Sequence, residues 1–147
     1  MTFRVVPGTG LVLPADAGVL RFGMTEREAR WTAATLADVR EGGWTCGARW
    51  IFHFFHRDVL VTAHSCTGCA GRTLGHLAVE RTDRVPQHAA GVPVAFGDYD
   101  LFGYPVHELT DVLAPQDRAL LLPADLNPHS THYLSAVRLD ACEGDRR

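Results

Sequence analysis

The chain has 147 residues, of which 46% are apolar and 21% charged, and these values are typical of one globular domain. A net charge of -3 lacks the basic excess typical of nucleic-acid-binding proteins, so we expect no nucleic-acid partner. All 14 basic residues are arginine, which is typical of GC-rich genomes and leads us to expect an actinobacterial source.

The first part of the chain combines short strands with one clear helix signal. Strands are predicted at 3–6, 10–13 and 19–22. Thr25 is an N-cap candidate, and Glu28 three residues later completes a capping box, which predicts a helix to about Arg40. Alanines at helical spacing supply an apolar face with Trp31 beside it, and the tryptophans are expected to lie mostly in the core.

The middle and end of the chain indicate further strands and a second helix. Strands are predicted at 49–55, 59–63, 74–80, 94–96, 119–122 and 132–139. A polar linker is expected at 82–91. Pro105 is interpreted as the first residue of a helix that ends before Pro115.

A Phe-Gly pair precedes both predicted helix starts, at Thr25 and at Pro105. The pairs are Phe22-Gly23 and Phe102-Gly103. One interpretation is a duplication, with units at 19–81 and 92–142 that bury their helix faces on a shared sheet. The other is coincidence, because glycine before a helix is common turn chemistry. Either way, we predict a single α+β domain over 1–147, with an antiparallel sheet and two helices packed on one face.

The segment Gly23-Met24-Thr25, followed by Glu28 and Ala29, resembles the repeat of β-lactamase inhibitory proteins and is similar to BamE-like lipoproteins. It also resembles actinobacterial proteins presumed to act in toxin immunity. The resemblance implies a short helix packed on a strand meander and a role in binding a protein partner. The first two families are exported, whereas this chain shows neither a signal peptide nor a lipidation cysteine near its first residue, and no inhibitor site is carried over to particular residues.

Metal-ligating residue types are concentrated in the middle of the chain. Cys66 and Cys69 have the spacing of half a zinc knuckle, with His64 as a third candidate ligand and Cys46 as a fourth. A second Cys-x-x-Cys pair is missing. The same pair could act as a redox dithiol, although no helix is predicted after it, or it could lie in an ordinary surface loop. Zinc at these residues is therefore the one cofactor hypothesis, and otherwise we expect no cofactor.

An acidic and aromatic group indicates a surface for a protein partner. We predict partner binding by Tyr99, Asp100, Tyr104 and Phe55. The alternative is a turn between Phe96 and Phe102, in which Gly97-Asp98 is ordinary turn chemistry. Phe55 lies on the strand face opposite Phe54, so that the strand is apolar on both faces, and this leaves a homo-oligomer open.

No known catalytic motif occurs in the sequence, and we predict no catalytic residue. The leading hypothesis is a non-enzymatic binding protein of the inhibitor or immunity type. The second is a small metal-dependent or thiol-dependent protein, and the third is an enzyme or binding pocket whose residues meet only in the folded chain. With no secretory signal and no run of 18 apolar residues, we expect a cytoplasmic location and no membrane contact. In that location we expect the cysteines to be reduced thiols or metal ligands and not disulfides.

Overall fold

The computed structural model describes residues 2–42, 47–66, 72–83, 86–123 and 125–141. Within these ranges, ten strands and three helices are present. In chain order they are β1 (Phe3–Val6), β2 (Gly10–Val12), β3 (Val19–Arg21), α1 (Glu26–Ala34), β4 (Arg40–Glu41), β5 (Ile51–His56), β6 (Val59–Ser65), β7 (Leu74–Arg81), β8 (Val94–Phe96), β9 (Tyr99–Asp100), α2 (Val106–Val112), α3 (Pro115–Leu121) and β10 (Ala136–Asp140). The predicted α+β class is confirmed.

The strands form two five-stranded sheets instead of the one sheet expected. The first sheet has the order β3-β2-β1-β8-β9 and the second has the order β10-β7-β6-β5-β4. Neighbouring strands are antiparallel except for β1 and β8, which are parallel. Both sheets contribute to one hydrophobic core, in which Phe3 of β1 contacts His56 of β5 edge-on. The apolar faces of the two sheets are thus buried against each other in this core.

The starts of two of the three helices lie within one residue of the positions that the sequence predicts. α1 follows its N-cap Thr25, but it ends at Ala34, well before Arg40. Pro105 is the N-cap of α2 and not its first residue. The strand predicted at 119–122 is wrong, because Pro115 begins α3, where its fixed φ suits a first helical turn. No helix in the described ranges is long and apolar enough to cross a membrane.

The two chain segments that contain the Phe-Gly pairs share the same arrangement: a strand, a helix and a later strand, with a bridge between the helix start and the residues before the later strand. Thr25, before α1, forms an antiparallel bridge with Thr73, just ahead of β7. Pro105, before α2, forms one with Tyr133, a few residues ahead of β10. β7 and β10 are neighbours in the second sheet, and the strands that precede the helices, β3 and β9, are the two edges of the first sheet. Each segment therefore supplies strands to both sheets, while an origin by duplication stays a prediction.

Candidate functional site

The outer surface of α1 carries Trp31, whose side chain is 73% exposed. The inward contacts of this helix are made by Ala29 and Ala33, both fully buried. Trp31 lies two residues from each of them, and two residues correspond to a rotation of about 200° around a helix. Trp31 therefore points away from the core, and the expectation that it would lie in the core is wrong.

Specific contacts hold α1 in place beneath Trp31. The Thr25 hydroxyl accepts a hydrogen bond from the Glu28 N–H at 3.2 Å, and the Glu28 carboxylate accepts one from the Thr25 N–H at 3.2 Å. One turn later, Arg30 Nε donates to Glu26 Oε2 at 2.8 Å. The Arg30 guanidinium also lies 5.1 Å from the centre of the Phe52 ring. The helix is thus tied at its start and along its inner side.

The two arginines beside Trp31 differ in how their charge is satisfied. Arg30 also pairs with Glu41 of β4, with 2.6 Å between Nη1 and Oε1. Burial alone would lower the pKa of Arg30, but the hydrogen bonds to Glu26 and Glu41 outweigh it and raise that pKa. Arg27 is exposed and makes no ion pair with any residue in the described ranges. Arg27 therefore offers a positive charge, one turn before Trp31, that no described residue pairs with.

These side chains border a surface cavity of about 550 Å³, which we call the Trp31 groove. Its lining residues are Arg27, Arg30, Trp31, Ala34, Thr35 and Val39. The groove combines an aromatic wall and aliphatic groups with a cationic rim. Sites for small ligands fall in the same range of volume, but they usually enclose their ligand. This open shape suits a side chain presented by another protein better than it suits an engulfed small molecule.

A second feature lies on the outer face of the second sheet. His64 of β6, His76 of β7 and Asp140 of β10 occupy directly opposite positions on adjacent strands, which we call the histidine row. Strand alternation places all three on the outer face. The imidazole rings of His64 and His76 stack with their centroids 4.4 Å apart and an interplanar angle of 21°. Asp140 Oδ1 lies 3.5 Å from His76 Nδ1.

The hydrogen bond of His64 fixes the position of its proton. His64 Nδ1 lies 2.9 Å from the Ser65 carbonyl oxygen. Because a carbonyl oxygen only accepts, Nδ1 carries the proton and Nε2 carries the lone pair. Burial lowers the pKa of His64, and the opposing effect of the Ser65 hydrogen bond does not reverse this direction. A cavity of about 310 Å³ lies over the histidine row.

The predicted zinc ligands fall only partly within the described residues. Cys66 is buried and disulfide-bonded, which corrects the expectation of reduced cysteines. That expectation rested on the cellular compartment, which does not fix how close two cysteines lie, and a disulfide sulfur is not the thiolate that zinc requires. Cys46 and Cys69 lie outside the described residues, so their role stays a prediction. Among the residues described, no group of three or more His, Cys, Asp or Glu could hold a metal ion.

The four residues predicted to bind a partner lie on different parts of the fold. Tyr99 packs against the core. The Asp100 carboxylate accepts two backbone N–H bonds at 3.1 Å each, so it builds the turn after β9. Tyr104 is about half-exposed before α2, while Phe55 is about half-exposed on the second sheet. The structure therefore spreads these side chains over both sheets, and their role in binding stays a prediction.

Sequence reasoning missed the Trp31 groove and the histidine row for different reasons. The spacing of Ala29 and Ala33 contained the signal for Trp31, since a residue midway between two inward positions faces outward. The histidine row had no such signal, because it depends on the register of β6 against β7 and on the pairing of β7 with β10. Of the three residues in the histidine row, only His64 was predicted from the sequence as a metal ligand.

Comparison of this chain with known protein families, curated proteins and solved structures finds no match. The resemblance of Gly23-Met24-Thr25 to inhibitory and BamE-like repeats therefore stays a prediction.

Proposed function

We propose that this protein binds a protein partner through the Trp31 groove. The observation that carries the proposal is the 73% exposure of Trp31 on a helix tied down by its capping box. Burial of about 200 Å² of tryptophan contributes on the order of 5 kcal/mol before the opposing terms of association. Tryptophan and arginine are also enriched among the residues that dominate binding energy at interfaces.

The charges around the groove indicate the chemistry of the partner. Arg27 is uncompensated within the described part of the chain, and it lies one helical turn from Trp31. A carboxylate of the partner would complement Arg27, while an apolar or aromatic side chain would fill the space beside Ala34 and Val39. We therefore expect a partner that presents an acidic residue next to an apolar one.

The resemblance at Gly23-Met24-Thr25 supports a more specific role. Under that role the partner is an enzyme or toxin, and occupation of the groove reduces the partner's activity. This inhibitor or immunity role is separable from binding itself, because a partner could be held without loss of activity. An activity assay of the captured partner with and without this protein distinguishes the two.

The first experiment identifies the partner and the contact surface together. A photo-reactive phenylalanine analogue at position 31 should crosslink the partner in extract of the native host. The same analogue at Leu120, an exposed apolar position on α3, serves as the control. Crosslinking that is no stronger at position 31 than at position 120 counts against the groove.

The second experiment measures the dissociation constant of the captured and purified partner. Trp31→Ala should weaken binding by about 30-fold or more, the effect of an interface residue worth about 2 kcal/mol. Arg27→Glu should weaken it by about tenfold through charge repulsion. Tyr104→Ala and Phe55→Ala remove side chains of lesser exposure elsewhere, and they should leave binding within about threefold.

A thermal melt provides the folding control for Trp31→Ala. Because its side chain is exposed, the variant should unfold at nearly the temperature of the parent. Unchanged binding by Trp31→Ala, together with a loss in Tyr104→Ala or Phe55→Ala, would reject the groove. The partner surface would then be the one predicted from sequence.

A further inference from the structure

We propose that His64 and His76 bind one divalent transition-metal ion of the zinc and copper class, with Asp140 as a positioning residue. The ion would lie on the outer face of the second sheet. This site is independent of the Trp31 groove. It shares only His64 with the cysteine-based zinc site that was predicted from the sequence.

The strand register brings the two imidazoles within reach of one ion. Side chains at directly opposite positions on adjacent strands have Cβ atoms about 5 Å apart. Two imidazole nitrogens bound to one tetrahedral zinc lie about 3.4 Å apart, given bonds of about 2.1 Å. The ring centroids of His64 and His76 are 4.4 Å apart. The two rings are therefore close enough for one ion to bind both, after a change in side-chain torsion angles that turns their stacked edges toward each other.

The outer contacts of both rings match those of metal-bound histidines. Such histidines usually direct the ring nitrogen that is not bound to metal toward a carboxylate or a backbone carbonyl, which orients the ring. His64 Nδ1 bonds the Ser65 carbonyl oxygen at 2.9 Å, and His76 Nδ1 lies 3.5 Å from Asp140 Oδ1. With Nδ1 of each ring directed at an oxygen, Nε2 is the nitrogen that we assign to the metal, and Asp140 would orient His76. Because Nε2 of His76 is buried in the structure, binding requires the stacked rings to separate.

The surroundings provide space and an acceptable charge. The cavity of about 310 Å³ over the histidine row has room for an ion and the waters that would complete its coordination. Arg138 is the cation that lines this cavity, and its guanidinium lies 3.6 Å from the Glu80 carboxylate, which offsets its repulsion of a metal ion. Asp140 adds a negative charge beside His76. Imidazole nitrogens suit zinc, copper and nickel better than calcium or magnesium.

The test is a zinc titration by calorimetry, with protein free of any affinity tag and of reductant so that the disulfide of Cys66 stays closed. His64→Gln and His76→Gln should each weaken binding by about tenfold or more. Asp140→Asn should weaken it by about tenfold through loss of orientation. His53→Gln is the matched control, since His53 lies on the same sheet face in the next register row and should leave the affinity within about twofold.

Two further measurements keep the result decisive if a variant is less stable. Zinc should raise the unfolding temperature of the parent and of His53→Gln, but not that of His64→Gln or His76→Gln. In nuclear magnetic resonance spectra, zinc should shift the ring signals of His64 and His76 before those of His53. The proposal is overturned if zinc binds both His64→Gln and His76→Gln as tightly as the parent. It is equally overturned if the parent binds no zinc at millimolar concentration.

Discussion

His56, the last residue of β5, places an imidazole at the boundary between the two sheets. Its ring meets Phe3 of the first sheet edge-on, with 5.7 Å between centroids. His56 Nε2 is buried and has no hydrogen-bond partner among the described residues. Burial lowers the pKa of His56, and the positive charge of Arg57 lowers it further. A proton on this ring would therefore be less favourable in the folded protein than in the unfolded chain.

This difference predicts a loss of stability in acid. Because the folded pKa lies below the unfolded value of 6.5, the unfolded chain takes up the proton first as the pH falls. Above the pKa of the unfolded chain, His56 should not decrease the free energy of unfolding. As the pH falls from there through the pKa of the folded protein, the free energy of unfolding should decrease. We expect His56→Gln to show a smaller decrease than the parent between about pH 7.5 and about pH 5 in urea unfolding.

Exposed His129 provides the comparison for this prediction. His129→Gln removes an imidazole from an exposed position and should keep the full acid-dependent loss of the parent. A His56→Gln variant whose unfolding free energy falls with pH as steeply as the parent's would contradict the lowered pKa of His56 in the folded protein.

At the scale of single elements, local signals predicted where helices begin better than where they end. Thr25 and Glu28 satisfy each other's backbone groups without any help from distant residues, so the start of α1 could be predicted. Its end could not, because β4 begins at Arg40 and pairs with β5, which draws the chain out of the helix. The leucine run within 119–122 suggested a strand, but Pro115 just before it begins α3.

The capping box makes a measurable contribution to stability. Thr25→Ala leaves the Glu28 N–H without its hydroxyl acceptor, and it should decrease the free energy of unfolding by about 1 kcal/mol. Thr25→Ser keeps the hydroxyl and should stay within about 0.5 kcal/mol of the parent. Urea unfolding of the three proteins measures both effects. If alanine and serine are equally tolerated, the capping box does not stabilise α1.

At the scale of the whole molecule, the number of sheets could not be predicted from the strands. Alternation shows which side chains share a face, but it does not show which strand lies beside which. β1 pairs in parallel with β8, which brings Phe3 beside Val94 although the two residues are far apart in sequence. Through β8, the strand β9 before the second Phe-Gly pair belongs to the first sheet, whereas β10 after it belongs to the second sheet. The histidine row depends on the same kind of long-range pairing. The sequence therefore shows which residue types are available for the candidate site, but it does not show which of them lie next to each other in the folded protein.

Phe54 and Phe55 are consecutive residues of β5 that test this two-sheet arrangement. Phe54 is fully buried in the core shared by the sheets, whereas Phe55 is 45% exposed on the outer face. Phe54→Ala should decrease the free energy of unfolding by about 3–5 kcal/mol, since it removes a large buried side chain and leaves a cavity. Phe55→Ala should decrease it by less than about 1 kcal/mol. Urea unfolding of both variants in parallel provides the comparison.

The difference between these two variants also bears on the outer face that carries the histidine row. Phe55 and His64 both project from that face, so an open face predicts a small loss for Phe55→Ala and leaves the histidine row without a covering layer. Equal losses for Phe54→Ala and Phe55→Ala would mean that the second sheet is covered on both sides. A metal ion could then reach His64 only through a covering layer, and zinc binding would be slow or absent even with both imidazoles in place.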